Sequence, residues 1–246
     1  MKRAGISSGL YRVSEWIMRF SVVNILWILF NLPLVLLLVS AGYAGSQPEQ
    51  ILLWILAAGL VPFVFFPSTA ALFASVRDWI IKDEDVGLVK RYWKYYRENY
   101  RSSLAGGLIL TVLWSIWGSN FFYYKDENTV LFFSFCVFGV LLYVISINFF
   151  SLMSHYHLKV RQLIQKAFMI TIGMPLLSLV TFLISAMMIY GSIAGPLFMT
   201  LFFSGTLLAF LSFSTFYRLY INRRKSTINS EMQVPDNPEK LQGINQ

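Results

Sequence analysis

Long stretches without a charged side chain constrain this sequence most strongly. No Asp, Glu, Lys or Arg occurs in residues 20–48, 50–76, 102–124, 128–158 or 167–217. A transmembrane helix needs about 20 mainly apolar residues. The first four stretches therefore hold one span each. The last holds two, because Gly191 to Pro196 supplies a turn within it. The sequence predicts an all-α, polytopic membrane protein with six transmembrane helices.

The predicted spans pair into hairpins. They cover about 20–43, 51–76, 102–124, 130–154, 168–190 and 197–217. The linkers inside the first, second and third pair are very short, which favours three helical hairpins. Composition agrees with a membrane domain, because hydrophobic residues make up 57% of the chain and charged residues only 13%. Soluble domains carry about 25% charged residues, which they need to cover an apolar core.

The distribution of Lys and Arg predicts an orientation. Four precede span 1, seven lie between spans 2 and 3, three between spans 4 and 5, and five follow span 6, whereas the opposite side holds Lys125 alone. By the positive-inside rule, both termini and both long loops are cytoplasmic, in a bacterial plasma membrane. Span 1 is interpreted as an uncleaved anchor, because it is longer than the apolar part of a signal peptide. Residues 1–225 form the membrane domain, and the polar residues 226–246 are predicted to be a flexible cytoplasmic tail.

The predicted spans contain no charged side chain, and a few asparagines supply amide groups inside them. The absence of charges inside the spans argues against an ion-coupled transporter, a pump or a voltage sensor. Asn24, Asn31 and Asn148 form a possible polar intramembrane cluster. An amide in hydrocarbon needs a hydrogen-bond partner. Two hypotheses follow: the asparagines line a pocket for a neutral ligand, or they hold neighbouring helices together.

Four prolines fall inside the predicted spans. Pro33 lies in span 1, Pro62 and Pro67 in span 2, and Pro175 in span 5. Each removes a backbone donor, so each predicts a helix kink. Transporters break helices at their binding sites, but proline is also common in ordinary membrane helices, so both interpretations stay open.

The cytoplasmic loop 77–101 has the pattern of an amphipathic helix over about 86–101. Its basic face and its neighbouring aromatic face carry Lys90, Lys94, Arg97, Arg101 and Trp93. This pattern is typical of a helix on anionic lipid head groups. Docking of a partner protein is the alternative. Nucleic-acid binding is disfavoured, because the helix lies directly beside two spans.

No set of side chains indicates catalysis. The two histidines, His155 and His157, are separated by one residue at the end of span 4, and Cys136 is the only cysteine. No acidic residue lies inside the predicted spans, where it could complete a catalytic set of nucleophile and base or a metal site. The sequence therefore predicts no catalytic residue, no metal, no cofactor and no enzymatic activity.

Several short motifs carry a resemblance to a known family. They are Asn24-x-x-Trp27 followed by Pro33, the stretch Pro67-Ser68-Thr69-Ala70-Ala71-Leu72-Phe73, Arg77-x-Trp79, and Glu98-Asn99-Tyr100. Over about residues 7–220 the chain resembles the YesL-like family, bacterial integral membrane proteins assigned to a domain of unknown function. The resemblance implies a role in the uptake or use of plant-derived oligosaccharides, because members are often encoded beside carbohydrate-uptake genes. It supplies no catalytic residues.

Two functional hypotheses follow. The first is a membrane protein accessory to carbohydrate uptake or utilisation, in contact with the lipid bilayer and with a sugar-transport complex or a second copy of itself. The alternative is a structural or regulatory scaffold that docks a partner through the loop 77–101 and has no substrate of its own. Asparagines that line a solvated cavity would favour transport, and asparagines that pair between helices would favour the scaffold.

Overall fold

The computed structural model describes residues 3–81, 87–125 and 127–221, and this part of the chain contains helices and short connections but no strand. The predicted tail 226–246 lies outside the described residues. The α-helices of the described part are α1 (Arg3–Gly42), α2 (Gln47–Ile81), α3 (Leu88–Tyr124), α4 (Thr129–His155), α5 (Val160–Gly173), α6 (Pro175–Ala194) and α7 (Leu197–Phe216). A π-helical turn, Tyr217–Ile221, continues α7.

Six of these helices are long and apolar enough to cross a membrane, which confirms the predicted all-α, six-span architecture. The exception is α5, which has 14 residues. The six long helices form three pairs with short connections, α1–α2, α3–α4 and α6–α7, and the helices of each pair pack against each other. Which side of the membrane each connection faces stays a prediction.

The predicted fifth span, 168–190, is not one helix. The helix is interrupted at Met174, whose backbone (φ −127°, ψ 71°) is not helical, and α6 begins at Pro175. Proline has no N–H and disfavours helical backbone at the residue before it. It is well suited to the first position of a new helix. The membrane-crossing segment is therefore α6, displaced toward the C-terminus, and α5 is a separate helix.

The other three prolines lie inside unbroken helices, Pro33 in α1 and Pro62 and Pro67 in α2. The predicted amphipathic helix is also not separate from the span that follows it. From Leu88 onward it forms the first part of α3, which continues without interruption to Tyr124. Residue 86, where the predicted helix starts, lies outside the described residues.

The best-packed core lies where α2 and α4 meet the other helices. Residues 66–76 of α2 and 146–154 of α4 are buried around their whole circumference. A helix that is buried on every side lies in the centre of a bundle. Small residues allow this close packing, since Gly107 of α3 lies against the ring of Phe66 and Gly106 against the ring of Phe149.

Candidate functional site

Asn24 connects α1 to α7. It is fully buried, and its amide nitrogen donates to the backbone oxygens of Leu201 (2.7 Å) and Thr200 (3.3 Å). Its amide oxygen accepts from the backbone nitrogen of Thr206 (3.0 Å) and from the hydroxyl of the same residue (3.3 Å). Both ends of the amide are therefore used between two helices that are distant in sequence.

Asn31 connects α1 to α2. Its amide nitrogen donates to the hydroxyl of Ser68 (2.8 Å) and to the backbone oxygen of Trp27 (2.7 Å). One turn earlier on α1, the indole of Trp27 donates to the hydroxyl of Thr69 (3.1 Å). The amide oxygen of Asn31 is buried and has no partner among the described residues.

Asn148 connects α4 to α5. Its amide nitrogen donates to the hydroxyl of Thr171 (2.9 Å), which in turn donates to the backbone oxygen of Ala167 (2.8 Å). The structure thus does not gather Asn24, Asn31 and Asn148 into one cluster. Each joins a different pair of helices, because each lies on a different contact surface of the bundle.

A buried carboxylate at the end of α2 was missed by the sequence analysis. The side chain of Asp78 is 1% exposed, and the guanidinium of Arg77 donates to its Oδ1 at 2.6 and 3.0 Å. The hydroxyl of Tyr95 donates to its Oδ2, and Arg91 of α3 lies 3.7 Å from the same oxygen. Arg77 also donates to the backbone oxygen of Ser154 of α4. This charged cluster ties the ends of α2, α3 and α4 together.

Rings of α1 and α2 pack beside the charged cluster. The ring of Trp79 meets those of Trp16 and Phe20 edge to face, with centroids 6.3 and 5.7 Å apart. On α1, Arg19 is 3% exposed and pairs with Glu15 one turn earlier. The sequence held a signal for this region, namely one acid next to Arg77 and a basic residue at position 91. The absence of charge identifies a span only up to residue 76, so this criterion does not indicate the acid that follows Arg77.

The first part of α3 presents a basic ridge, defined here as the exposed side chains of Lys90, Trp93, Lys94, Arg97 and Arg101. Trp93 is 48% exposed. The ridge holds every side chain that the sequence analysis named for surface contact in this loop. Lys94 also lies 3.9 Å from Glu98, so one acid lies within the ridge.

The face of α3 next to the basic ridge packs into the bundle, and the ring of Trp93 lies at the boundary between the two. Tyr92 is fully buried, and its hydroxyl donates to the backbone oxygen of Ser68 (2.9 Å). The ring of Phe30 of α1 contacts the rings of Tyr92, Trp93 and Tyr96, with centroids 5.5, 5.8 and 4.6 Å apart. The aromatic face therefore binds α1 and α2 in part, instead of lying wholly in the lipid interface. Contact of the basic ridge with anionic head groups stays a prediction.

His155 lies among aromatic side chains at the end of α4. The ring of His155 contacts the rings of Tyr156, Phe213 and Tyr217. Within the described residues, no group of three His, Cys, Asp or Glu side chains is placed to hold a metal ion.

Comparison with known proteins finds similarity to one family and to uncharacterized relatives. The model of a family described as "Protein of unknown function, DUF624" matches residues 20–121, from within α1 to near the end of α3. Three similar proteins of Bacillus subtilis (strain 168) are each described only as uncharacterized. No solved structure matches.

The three relatives match much of the chain. YesL is 26% identical over 219 residues, which cover 86% of this chain and 91% of YesL. YteU is 28% identical over 70% of this chain and 68% of its own length. YesV is 27% identical over 70% of this chain and 72% of its own length. These matches confirm the predicted resemblance to the YesL-like family.

Proposed function

We propose that this chain, which resembles the YesL-like membrane proteins, is a non-catalytic scaffold that docks a cytoplasmic partner through the basic ridge of α3. The observation that carries the proposal is the bonding of Asn24, Asn31 and Asn148 between helices. A pocket for a polar substrate needs convergent polar groups that are free to bind it. These amides hold the bundle together instead, which favours a scaffold over a carrier of a polar substrate.

The basic ridge has the chemistry of a docking surface. Trp and Arg side chains contribute most to the binding energy of protein interfaces, and here Trp93 is half exposed between Lys90, Lys94 and Arg97. A suitable partner carries acidic side chains around an apolar recess that accepts the exposed part of the indole ring, whose other part packs against Phe30 and Tyr96. Anionic lipid head groups are the competing occupant, because they share the negative charge.

The buried face of the helix that carries the basic ridge is bonded to α2. Tyr92 bonds to α2, and Tyr95 and Arg91 reach Asp78 of α2. Ordering a flexible surface on binding costs affinity, and a surface that is already ordered avoids that cost. The packing of the buried face therefore supports docking on the exposed face.

The partner that we propose is a component of carbohydrate uptake or utilisation, for which this chain would be an accessory protein. What supports this assignment is the resemblance to the YesL-like family, whose members are often encoded beside carbohydrate-uptake genes. A second copy of this chain is the alternative partner.

Growth and uptake by a deletion strain test both parts of the proposal. We expect the strain to take up pectin-derived oligosaccharides poorly and the wild-type gene to restore uptake. The triple variant K90E/K94E/R97E should not restore it, although the protein reaches the membrane at the normal level. The control is K159E/R161E, which reverses two exposed charges at the start of α5, keeps Lys166 over the ring of Tyr156, and should restore uptake.

Each outcome has a distinct meaning. Normal uptake of every sugar by the deletion strain would contradict the carbohydrate role. Restoration by K90E/K94E/R97E would contradict docking through the basic ridge. A photoreactive residue in place of Trp93 identifies the occupant. Cross-links to protein that disappear in the triple variant support docking, and cross-links to lipid alone would assign the ridge to head groups.

A further inference from the structure

A cavity of about 670 Å³ lies among α1, α2, α3, α4, α6 and α7. Side chains that line it include Trp27 of α1, Ala58 of α2, Trp114 of α3, Phe150 of α4, and Ile189 and Ile193 of α6. Asn24, Asn31 and Asn148 are not among its lining residues. Aromatic and aliphatic groups dominate the wall, and apolar walls favour an apolar occupant.

The polar groups in the wall are mostly satisfied by the protein itself. The indole of Trp27 donates to Thr69 (3.1 Å), and the indole of Trp114 donates to Ser146 (3.2 Å). The hydroxyl of Ser204 donates to a backbone oxygen of its own helix (2.7 Å). The hydroxyl of Thr111 is buried without a partner among the described residues. A sugar, which must replace many hydrogen bonds to water, would find few partners here.

The mouth of the cavity opens through apolar parts of the membrane-crossing helices. Trp54, Ile189 and Ile193 line the cavity and are also 53%, 49% and 80% exposed. They belong to α2 and α6, which are both long and apolar enough to span a membrane. In the bilayer, exposed surface of this kind meets hydrocarbon, so lipid chains have direct access to the cavity.

We infer that the cavity holds an acyl chain of a membrane phospholipid. Its volume is roughly four times the ~150 Å³ of an engineered cavity that stays dry and binds benzene, so it has room for a long flexible chain. The lipid head group stays at the mouth, near Ser192, which lines the cavity two residues before α6 ends. This inference is independent of the basic ridge and of the proposed partner.

Photolabelling in proteoliposomes tests the inference. The probe is a phosphatidylglycerol that carries a diazirine near the end of one acyl chain, and the labelled residues are identified by mass spectrometry. We expect labels on Trp27 and Trp114, and a several-fold loss of these labels in Ala58→Phe, which fills the cavity. The matched control is Gly59→Phe on the next residue, where an added Cβ meets nothing within 4 Å.

A second filling variant and an internal standard keep the result interpretable. Ser115→Phe narrows the cavity from α3, at an exposed position that tolerates a larger side chain. Labels on the exposed side chains of Leu52 and Leu56 of α2 should stay constant in every variant. Cavity labels that persist in both filled variants would overturn the inference. Labelling of the cavity by a photoreactive free fatty acid, but not by the phospholipid, would overturn the phospholipid as its source.

Discussion

Replacing Asn24 with Ala should weaken the attachment of α7 to α1. The change removes four hydrogen bonds between the helices, of which the two shortest run from Asn24 to the backbone oxygen of Leu201 (2.7 Å) and from the backbone nitrogen of Thr206 to Asn24 (3.0 Å). Such bonds contribute about 0.6 kcal/mol each on average between membrane helices and about 1 to 1.5 kcal/mol each in soluble proteins. The two shortest bonds at these values give about 1 to 3 kcal/mol, and we expect a loss of about 2 kcal/mol.

Unfolding of the purified protein in mixed micelles with increasing sodium dodecyl sulfate measures this loss. Tryptophan fluorescence is a suitable signal, because Trp27 lies beside Asn24 against Gly205 of α7. The control is Asn120→Ala, which removes an amide that donates to the backbone oxygen of Ile116 within its own helix (2.8 Å). That change should alter the free energy of unfolding by less than ~0.5 kcal/mol.

The comparison of the two variants decides the outcome. If Asn24→Ala costs no more free energy of unfolding than Asn120→Ala, the amide does not hold α1 and α7 together. The asparagines would then lose their structural assignment, and a ligand-binding role would regain support. A loss of about 2 kcal/mol for Asn24→Ala alone would support the interhelical assignment.

Three further expectations use the same purified protein or its gene. Asp78→Asn should lower the free energy of unfolding by about 2 kcal/mol in the same assay. This is less than the ~3–5 kcal/mol that breaking a fully buried ion pair costs, because Arg77 is 18% exposed. An unchanged free energy of unfolding would contradict a stabilising role of the charged cluster. Gly107→Ala should destabilise the protein by about 1–3 kcal/mol through overpacking, since the added Cβ would lie 2.7 Å from the Phe66 ring. Gly118→Ala should not destabilise the protein, because an added Cβ there meets nothing within 4 Å. Equal effects of the two variants would contradict this packing. A reporter fused after Gln47 should be extracytoplasmic and one after Gln246 cytoplasmic, and the opposite pattern would reverse the orientation.

Local properties of the chain were enough to predict the spans. The stretch between Arg19 and Glu49 exceeds the length needed to cross a bilayer, and α1 occupies most of it. Lipid acts as a solvent on each segment separately, so the cost of a charge or an unpaired backbone group can be judged without knowing the neighbours. The break at Met174 was also encoded locally, by Pro175. It was interpreted as a kink because a proline in a long apolar run is compatible with either outcome.

The contents of the site depended on contacts between distant residues. Asn24 bonds to a helix more than 170 positions later in the chain, and its own sequence neighbourhood does not identify that partner. Asp78 is buried only because Arg91 and Tyr95 return to it from α3. Tyr92 is buried for a similar reason, because its hydroxyl donates to the backbone oxygen of Ser68 of α2.

The sequence by itself determined that this protein has six helices long and apolar enough to cross a membrane, because hydrophobic length and charge act segment by segment. Only the tertiary structure decided that the three asparagines serve three different helix pairs, that residues 88–101 form the first part of α3 with one face buried, and that six helices line an apolar cavity. These features arise from packing, which depends on the shapes that distant segments present to one another.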